Sequence, residues 1–381
     1  MQRPARQGCG MLSYLDPRTQ TTYPLEVPRW CGDEHQPLML TPMPGISRAQ
    51  VDTSERSLWR YREALPFAVD PISMGEGCTP LLRRSLHGGT AHLKCEWFMP
   101  TGSFKDRGAS VMLSLLRAQG ITEVLEDSSG NGGAAVAAYA AAGGMRATIM
   151  APDNTSPAKT VQMRAHGATV ELVPGTRLHT SQAAEARAAS IFYASHNWHP
   201  FFLHGTKTLA YELWEDLGFR APDNVIVPCG AGSNVLGCQI GFAELWRAGA
   251  IDRQPRLWAA QPVNCGPIAA ATLGLEPLPV RPTIAEGTAI AAPIRLPEVM
   301  AALRDSEGGA VLLTETEIET EVIHLARMGI YVEPTCAQAA AAFGKLLAAG
   351  AIGPDETTVV VLTGTGLKAT ARMAELLGVV L

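Results

Sequence analysis

Pro100-Thr101-Gly102-Ser103-Phe104-Lys105-Asp106-Arg107-Gly108 is the stretch that decides how the rest of this chain is read. A Thr-Gly-Ser turn runs directly into the start of an amphipathic helix, and a lysine stands at the junction. An amine so placed projects from a scaffold into a pocket. In dry or cationic surroundings it gives up its proton, and a neutral amine condenses with an aldehyde. The plainer reading is a solvated lysine opening a helix, so the neighbouring segments have to decide between the two.

Outward from that run, short apolar stretches alternate with helical patterns. Strands are predicted over 92–96, 123–127, 147–151, 169–173, 191–195, 224–228, 256–261 and 357–363. Helices are predicted over 106–118, 132–142, 157–166, 181–190, 206–217, 234–248, 315–327, 337–349 and 367–377. Alternation of this kind implies an α/β fold, with doubly wound parallel sheets covered by helices on both faces. Ligands in such folds collect at the carboxyl ends of the strands. With 381 residues, two domains are expected rather than one core. Residues 1–75, irregular and rich in Pro, Thr and Arg, read as an N-terminal arm. Residues 76–103 and 205–381 read as a large domain, and 104–204 as a smaller one inserted between its parts.

Bulk properties exclude other classes. Hydrophobic residues make up 46% and charged residues 18%, the balance of a globular protein. A net charge of -5, without a basic run carrying aromatics, argues against nucleic acid or an acidic membrane as partner. The alanine-rich stretch from Ala134 to Met145 is too short to span a bilayer. The start Met1-Gln2-Arg3-Pro4-Ala5-Arg6 lacks the apolar core of a signal peptide, so a cytoplasmic location is expected. The eight scattered cysteines read as reduced thiols.

Three glycine turns join a predicted strand to a predicted helix: Ser128-Ser129-Gly130-Asn131-Gly132-Gly133, Cys229-Gly230-Ala231-Gly232-Ser233-Asn234 and Thr363-Gly364-Thr365-Gly366-Leu367-Lys368. Each offers unpaired backbone N–H groups and the positive end of a helix dipole to an anion such as phosphate or carboxylate. Alone, each is an ordinary helix cap or a weak dinucleotide fingerprint. Asp153, about twenty residues past the first turn, stands in a Pro-rich loop rather than where a ribose-binding acid belongs. Three turns together with Lys105 point instead to a pyridoxal 5'-phosphate (PLP) enzyme.

Taken with Gly75-Glu76-Gly77-Cys78-Thr79-Pro80-Leu81, these segments resemble the fold type II, tryptophan-synthase-β-like PLP enzymes, and among them the threonine synthase branch. The similarity runs from Gly75 to the C-terminus. It implies that Lys105 holds PLP as a Schiff base and later removes the substrate's α-proton. It further implies that Gly230, Ala231, Gly232, Ser233 and Asn234 cradle the cofactor phosphate. Asn131 would bond the 3'-oxygen of the ring, and Thr363 would face its nitrogen. A hydroxyl there leaves that nitrogen largely unprotonated and favours elimination chemistry. Ser129, Gly130 and Gly132 would accept the substrate carboxylate. A homodimer is also implied. The activity implied is conversion of O-phosphohomoserine to threonine and phosphate, by γ-elimination and β-addition of water.

Two departures from the family pattern stand out. Before Gly205, Lys207 and Thr208, Phe202 occupies the position of an arginine that holds the substrate phosphate, and Asn197 that of a serine. A phenyl ring has no donor fork for phosphate; His199, His204 or Lys207 are candidate replacements. In Ile284-Ala285-Glu286-Gly287, the carboxylate sits poorly beside a phosphate dianion if it faces the pocket. The alternative is therefore α,β-elimination or β-replacement on threonine, serine or O-phosphoserine. A PLP fold that only binds a ligand is disfavoured by the intact Lys105, Asn131 and Thr363. His196, His199 and His204 have no metal-ligand spacing and read as core and pocket wall. Gly8-Cys9-Gly10 and Arg29-Trp30-Cys31-Gly32 resemble two halves of a zinc ribbon. Each half keeps one cysteine, Arg6 stands where another would be, and Cys9, Cys31 and His35 fall short of four ligands, so no metal is expected.

Overall fold

The computed structural model describes residues 11–155 and 157–380. The arm carries a three-stranded antiparallel sheet of β1 (Ser13–Leu15), β2 (Thr22–Pro24) and β3 (Met39–Leu40). Then follow β4 (Leu81–Leu86), β5 (Gly89–Cys95), α1 (Lys105–Ala118), β6 (Glu123–Glu126), α2 (Asn131–Ala142), β7 (Arg146–Pro152), α3 (Pro157–Ala165), β8 (Thr169–Val173), α4 (Arg177–Arg187) and β9 (Phe192–Tyr193). The remainder is α5 (Pro200–Thr206), α6 (Thr208–Asp216), β10 (Asn224–Pro228), α7 (Ser233–Arg247), β11 (Arg256–Pro262), α8 (Pro267–Thr272), α9 (Leu296–Asp305), β12 (Gly309–Leu313), α10 (Glu315–Arg327), α11 (Pro334–Ala348), β13 (Thr358–Leu362) and α12 (Thr370–Leu377).

Six strands form one sheet in the order β12-β11-β10-β13-β5-β4, and four form another in the order β8-β7-β6-β9. All neighbours in both are parallel except β4, which closes an antiparallel hairpin with β5. β10 and β13 are buried along their whole length. Their unbroken apolar runs, such as Thr358-Val359-Val360-Val361-Leu362, suit the middle of a sheet covered on both faces. The alanines of α2 serve a similar end: small side chains let the helix lie close on β7, and nearly all of it is buried.

Strand order fixes where ligands gather. The chain runs outward from β10 through β11 to β12, while β13 lies on the other side of β10, so the order reverses between β10 and β13. In the smaller sheet it reverses in the same way between β6 and β9. Crevices form outside the carboxyl ends of strands at such reversals.

The hairpin strand β4, strand β12 and helices α5, α8 and α9 go beyond the elements the sequence pattern predicts. Arg83, Arg84 and Ser85 break the apolar pattern of β4 because it is an exposed edge. The helix predicted over 206–217 is two helices meeting at Lys207, which caps α5 and opens α6. That predicted over 367–377 begins as a tighter 3-10 turn, Gly366–Ala369. Arg6 and the Gly8-Cys9-Gly10 half of the ribbon-like pattern lie outside the described residues. Cys31 packs with Trp30, Tyr193 and Trp198, and His35 bonds Glu185 at 2.9 Å.

Candidate active site

The lysine run is laced to the end of β13. Phe104 N–H donates to the Thr363 carbonyl at 2.9 Å, Thr365 N–H to the Gly102 carbonyl at 3.0 Å, and Glu333 N–H to the Gly364 carbonyl at 3.1 Å. Asp106, in the first turn of α1, folds the loop back by accepting the Thr101 N–H at 2.7 Å. Lys105 therefore starts its helix from a fixed base, between the ends of the two sheets.

A cleft of about 930 Å³ opens there. Lys105, Ser129, Gly130, Asn131, Gly132, Gly230, Ala231, Gly232, Ser233, Asn234 and Thr363 all lie on its wall. The turn after β10 and Thr363 after β13 stand side by side at the larger sheet's reversal. Gly232 takes φ +93, a left-handed conformation, and a Cβ there would meet Val299 at 2.2 Å, so only glycine fits. Behind it starts the 15-residue helix α7. The Asn234 side chain is buried, yet among the described residues neither its Oδ1 nor its Nδ2 has a partner, and the Ser103 Oγ is likewise unpartnered. Buried polar atoms without partners are costly unless something else supplies the bond. A phosphorylated cofactor on this turn fits that need.

Lys105 makes no ion pair among the described residues. Its amine stands 4.7 Å from the Phe104 ring centroid and 5.4 Å from that of Phe202. Desolvation brings its pKa down to about 7; the Glu126 and Glu333 carboxylates oppose the shift, and the Arg177 charge adds to it. Much of the amine is thus neutral near pH 7, the form that attacks an aldehyde.

A chain with this lysine, this cradle and this pair of sheets invites comparison with known proteins. A family profile described as "Pyridoxal-phosphate dependent enzyme" matches residues 72–364. The chain belongs to that family. It is 33% identical to the threonine synthase of Methanocaldococcus jannaschii over 337 residues, 85% of this chain and 83% of that one. It is 34% identical to the threonine synthase of Mycobacterium leprae over 318 residues, 81% and 87% of the two. The solved structure of threonine deaminase isoform 2 from Solanum lycopersicum superposes with a TM-score of 0.66 at 22% identity, over 79% of this chain and 88% of that one; at that identity it bears on the fold alone. This is therefore a fold type II PLP-dependent lyase resembling threonine synthase.

Further residues of this PLP enzyme's cleft carry no marker of that role in the sequence. Glu333, the residue before Pro334 at the start of α11, accepts from Asn131 Nδ2 at 3.1 and 3.3 Å. Lys368 donates to Asn131 Oδ1 at 3.0 Å. The signal for Glu333 was a Glu-Pro pair opening a helix, which reads as capping. Arg177, at the start of α4, also lines the cleft, and no carboxylate pairs with it among the described residues. Glu286, read from the sequence as a poor neighbour for a phosphate dianion if it faces the pocket, is on the wall too.

The candidate replacements for the arginine do not reach the cleft. Lys207 is buried and paired with Glu244 at 2.8 Å. His199 is buried and caps α5 by accepting the Phe201 N–H at 3.2 Å, and His204 is buried within α5. Phe202 is wholly buried, packed against Gly108 and His196. His196 alone of the three histidines is on the cleft wall. Among the described residues one trio, His87, Glu321 and His324, gathers metal-type donor atoms within 4.8 Å; His87 Nε2 and Glu321 bond each other at 2.8 Å. No helix among the described residues is long and apolar enough to cross a membrane.

Proposed function

We propose that this enzyme converts O-phosphohomoserine and water to threonine and phosphate. The observation that carries the reading is Arg177. It lines the cleft that holds Lys105 and has no carboxylate partner among the described residues, so the anion-binding role that Phe202 cannot fill falls to another element. The threonine synthase relatives support the same substrate.

In this reading Asn234 and the turn Gly230, Ala231, Gly232 and Ser233 hold the cofactor phosphate. Asn131 bonds the ring 3'-oxygen, Thr363 faces the ring nitrogen, and Ser129, Gly130 and Gly132 accept the substrate carboxylate. When bound, PLP supplies an electron sink for negative charge at Cα. Lys105 takes the α-proton as a neutral amine, and the phosphate on Cγ is held against Arg177. A β-proton is lost as phosphate departs and is returned at Cγ. Water then adds at Cβ, and Lys105 returns its proton to Cα. The domain division at 76–103 with 205–381 and 104–204 belongs to this reading, as do a homodimer and a cytoplasmic location.

The second reading, elimination or replacement at Cβ of threonine, serine or O-phosphoserine, is favoured by Phe202, whose burial removes the arginine of the resemblance. One assay separates the two. PLP-loaded enzyme given O-phosphohomoserine is expected to release phosphate and threonine in equal amounts. Neither product, with 2-oxobutyrate from threonine or pyruvate from O-phosphoserine, would establish the second reading. Within the first, Arg177→Gln is expected to raise KM for O-phosphohomoserine about tenfold or more, the loss of one charge-assisted contact.

A further inference from the structure

Glu126 ends β6 and His196 follows β9, so the smaller sheet's reversal brings them together. Their side chains meet at 2.8 Å, Glu126 Oε1 to His196 Nδ1. The same carboxylate accepts two backbone N–H groups, of His196 at 3.0 Å and Asp127 at 3.1 Å. A carboxyl taking two backbone donors is set up as an acceptor, so the ring's Nδ1 is its third donor. In a neutral imidazole the other nitrogen is then an acceptor. His196 lines the cleft with Lys105, and Gly132 brings its backbone against the imidazole: a Cβ on Gly132 would lie 2.8 Å from Nδ1. Among the described residues Nε2 makes no hydrogen bond, and the residue stands on the cleft wall.

We infer that His196, oriented by Glu126, is a second proton-transfer residue of this site, acting on the water that adds to the substrate. This rests on the reading under Proposed function. As the bond from water oxygen to Cβ forms, the water's O–H breaks and its proton passes to Nε2. The electron pair displaced from Cβ settles at Cα, where it takes the proton from Lys105. The phosphate freed in the earlier step stays against Arg177 until the proton on His196 passes to it, and it then leaves the cleft as hydrogen phosphate. Glu126 holds the imidazolium through Nδ1–H, the part a carboxylate plays for a catalytic histidine.

The charged groups facing His196 are Glu126, Asp127, Lys105 and Arg177. Burial, reinforced by the Lys105 charge, holds His196 well below the usual histidine value, so the resting ring is a neutral base. Burial pushes Glu126 up to about 7, against the N–H donors and Lys105 that favour its ionised form.

The test pairs a spectrum with kinetics. In ¹⁵N-histidine-labelled enzyme, the signal missing from His196→Gln identifies His196. It is expected as the Nδ1–H form with Nε2 unprotonated, and Glu126→Gln should disturb that preference. In the PLP-loaded enzyme, His196→Gln should form threonine about 100-fold more slowly, the usual worth of a positioned base. It should still bind PLP within about twofold and exchange the α-proton of L-threonine in D₂O within about threefold of the parent. An Nε2–H ring, or threonine formation within threefold of the parent, overturns the inference. So does loss of α-proton exchange in step with turnover. A parent that makes no threonine overturns the substrate reading instead, and the ring's tautomer still decides whether His196 offers a base.

Discussion

Two clusters of buried charge flank Lys105, and they are built to opposite ends. Beneath α1, Arg107 donates to both oxygens of Glu96 at 2.7 and 2.8 Å and to Glu212 at 2.9 Å. Lys94 reaches Glu212 at 2.6 Å, Asp216 at 2.7 Å and the Thr79 carbonyl at 2.7 Å. Glu212 also accepts the N–H groups of Cys78 and Thr79, at 2.9 and 2.7 Å. Every donor of Lys94 and both oxygens of each glutamate are used. At the cleft, by contrast, Glu126 behind the wall is saturated, but among the described residues His196 keeps one ring nitrogen free, the Asn234 side chain has no partner and Lys105 makes no ion pair. A closed network holds elements in place; an open one leaves valence for a ligand. The difference shows why one motif, Lys105-Asp106-Arg107, presents an unpaired amine to the cleft on its first residue and scaffolding on the next two.

The sharpest way to break that contrast is Lys105→Ala. Turnover is expected to fall about 10³-fold or more with loss of the base alone, while urea midpoints of the cofactor-free protein stay close to the parent's. A large stability loss would place Lys105 with the scaffold. Arg107→Met should do the reverse, costing about 3–5 kcal/mol in urea unfolding because it strands the buried Glu96 and Glu212. Unfolding within 1 kcal/mol of the parent would show the network to be dispensable.

Gly108→Ala sharpens the packing side. A Cβ there would lie 2.4 Å from the Phe202 ring, which is wedged behind the lysine. The expected cost is about 1–3 kcal/mol from overpacking, read as a lower urea midpoint. The smallest effect is one of pH. With the Lys105 amine titrating near 7, the neutral fraction falls about tenfold for each pH unit below that point. The rate of PLP binding to the cofactor-free protein should therefore drop about tenfold from pH 6 to 5 and level off above 8. A rate still climbing tenfold per unit between 8 and 10 would mean an ordinary lysine.

Much of this was legible because backbone rules leave short-range traces. Apolar runs mark β10 and β13, and the glycine turns mark the cleft wall, since only glycine serves at a position such as Gly232. What stayed hidden depends on long-range pairing. Nothing local marks Glu126 and His196 as partners 70 residues apart; only the reversal between β6 and β9 joins them. Arg177 reads as a first-turn surface arginine until the fold turns α4 toward the cleft. Phe202 was legible as a missing arginine. That Lys207, His199 and His204 do not replace it required seeing Lys207 committed to Glu244 and the two histidines buried away from the cleft.

The most direct test of the central claim is to reduce the PLP-loaded protein with borohydride and map the modified peptide by mass spectrometry. The account predicts a single phosphopyridoxyl group, on Lys105, absent from Lys105→Ala. A label on Lys368, Lys207 or any other lysine, or no label on protein that has taken up PLP, would contradict it.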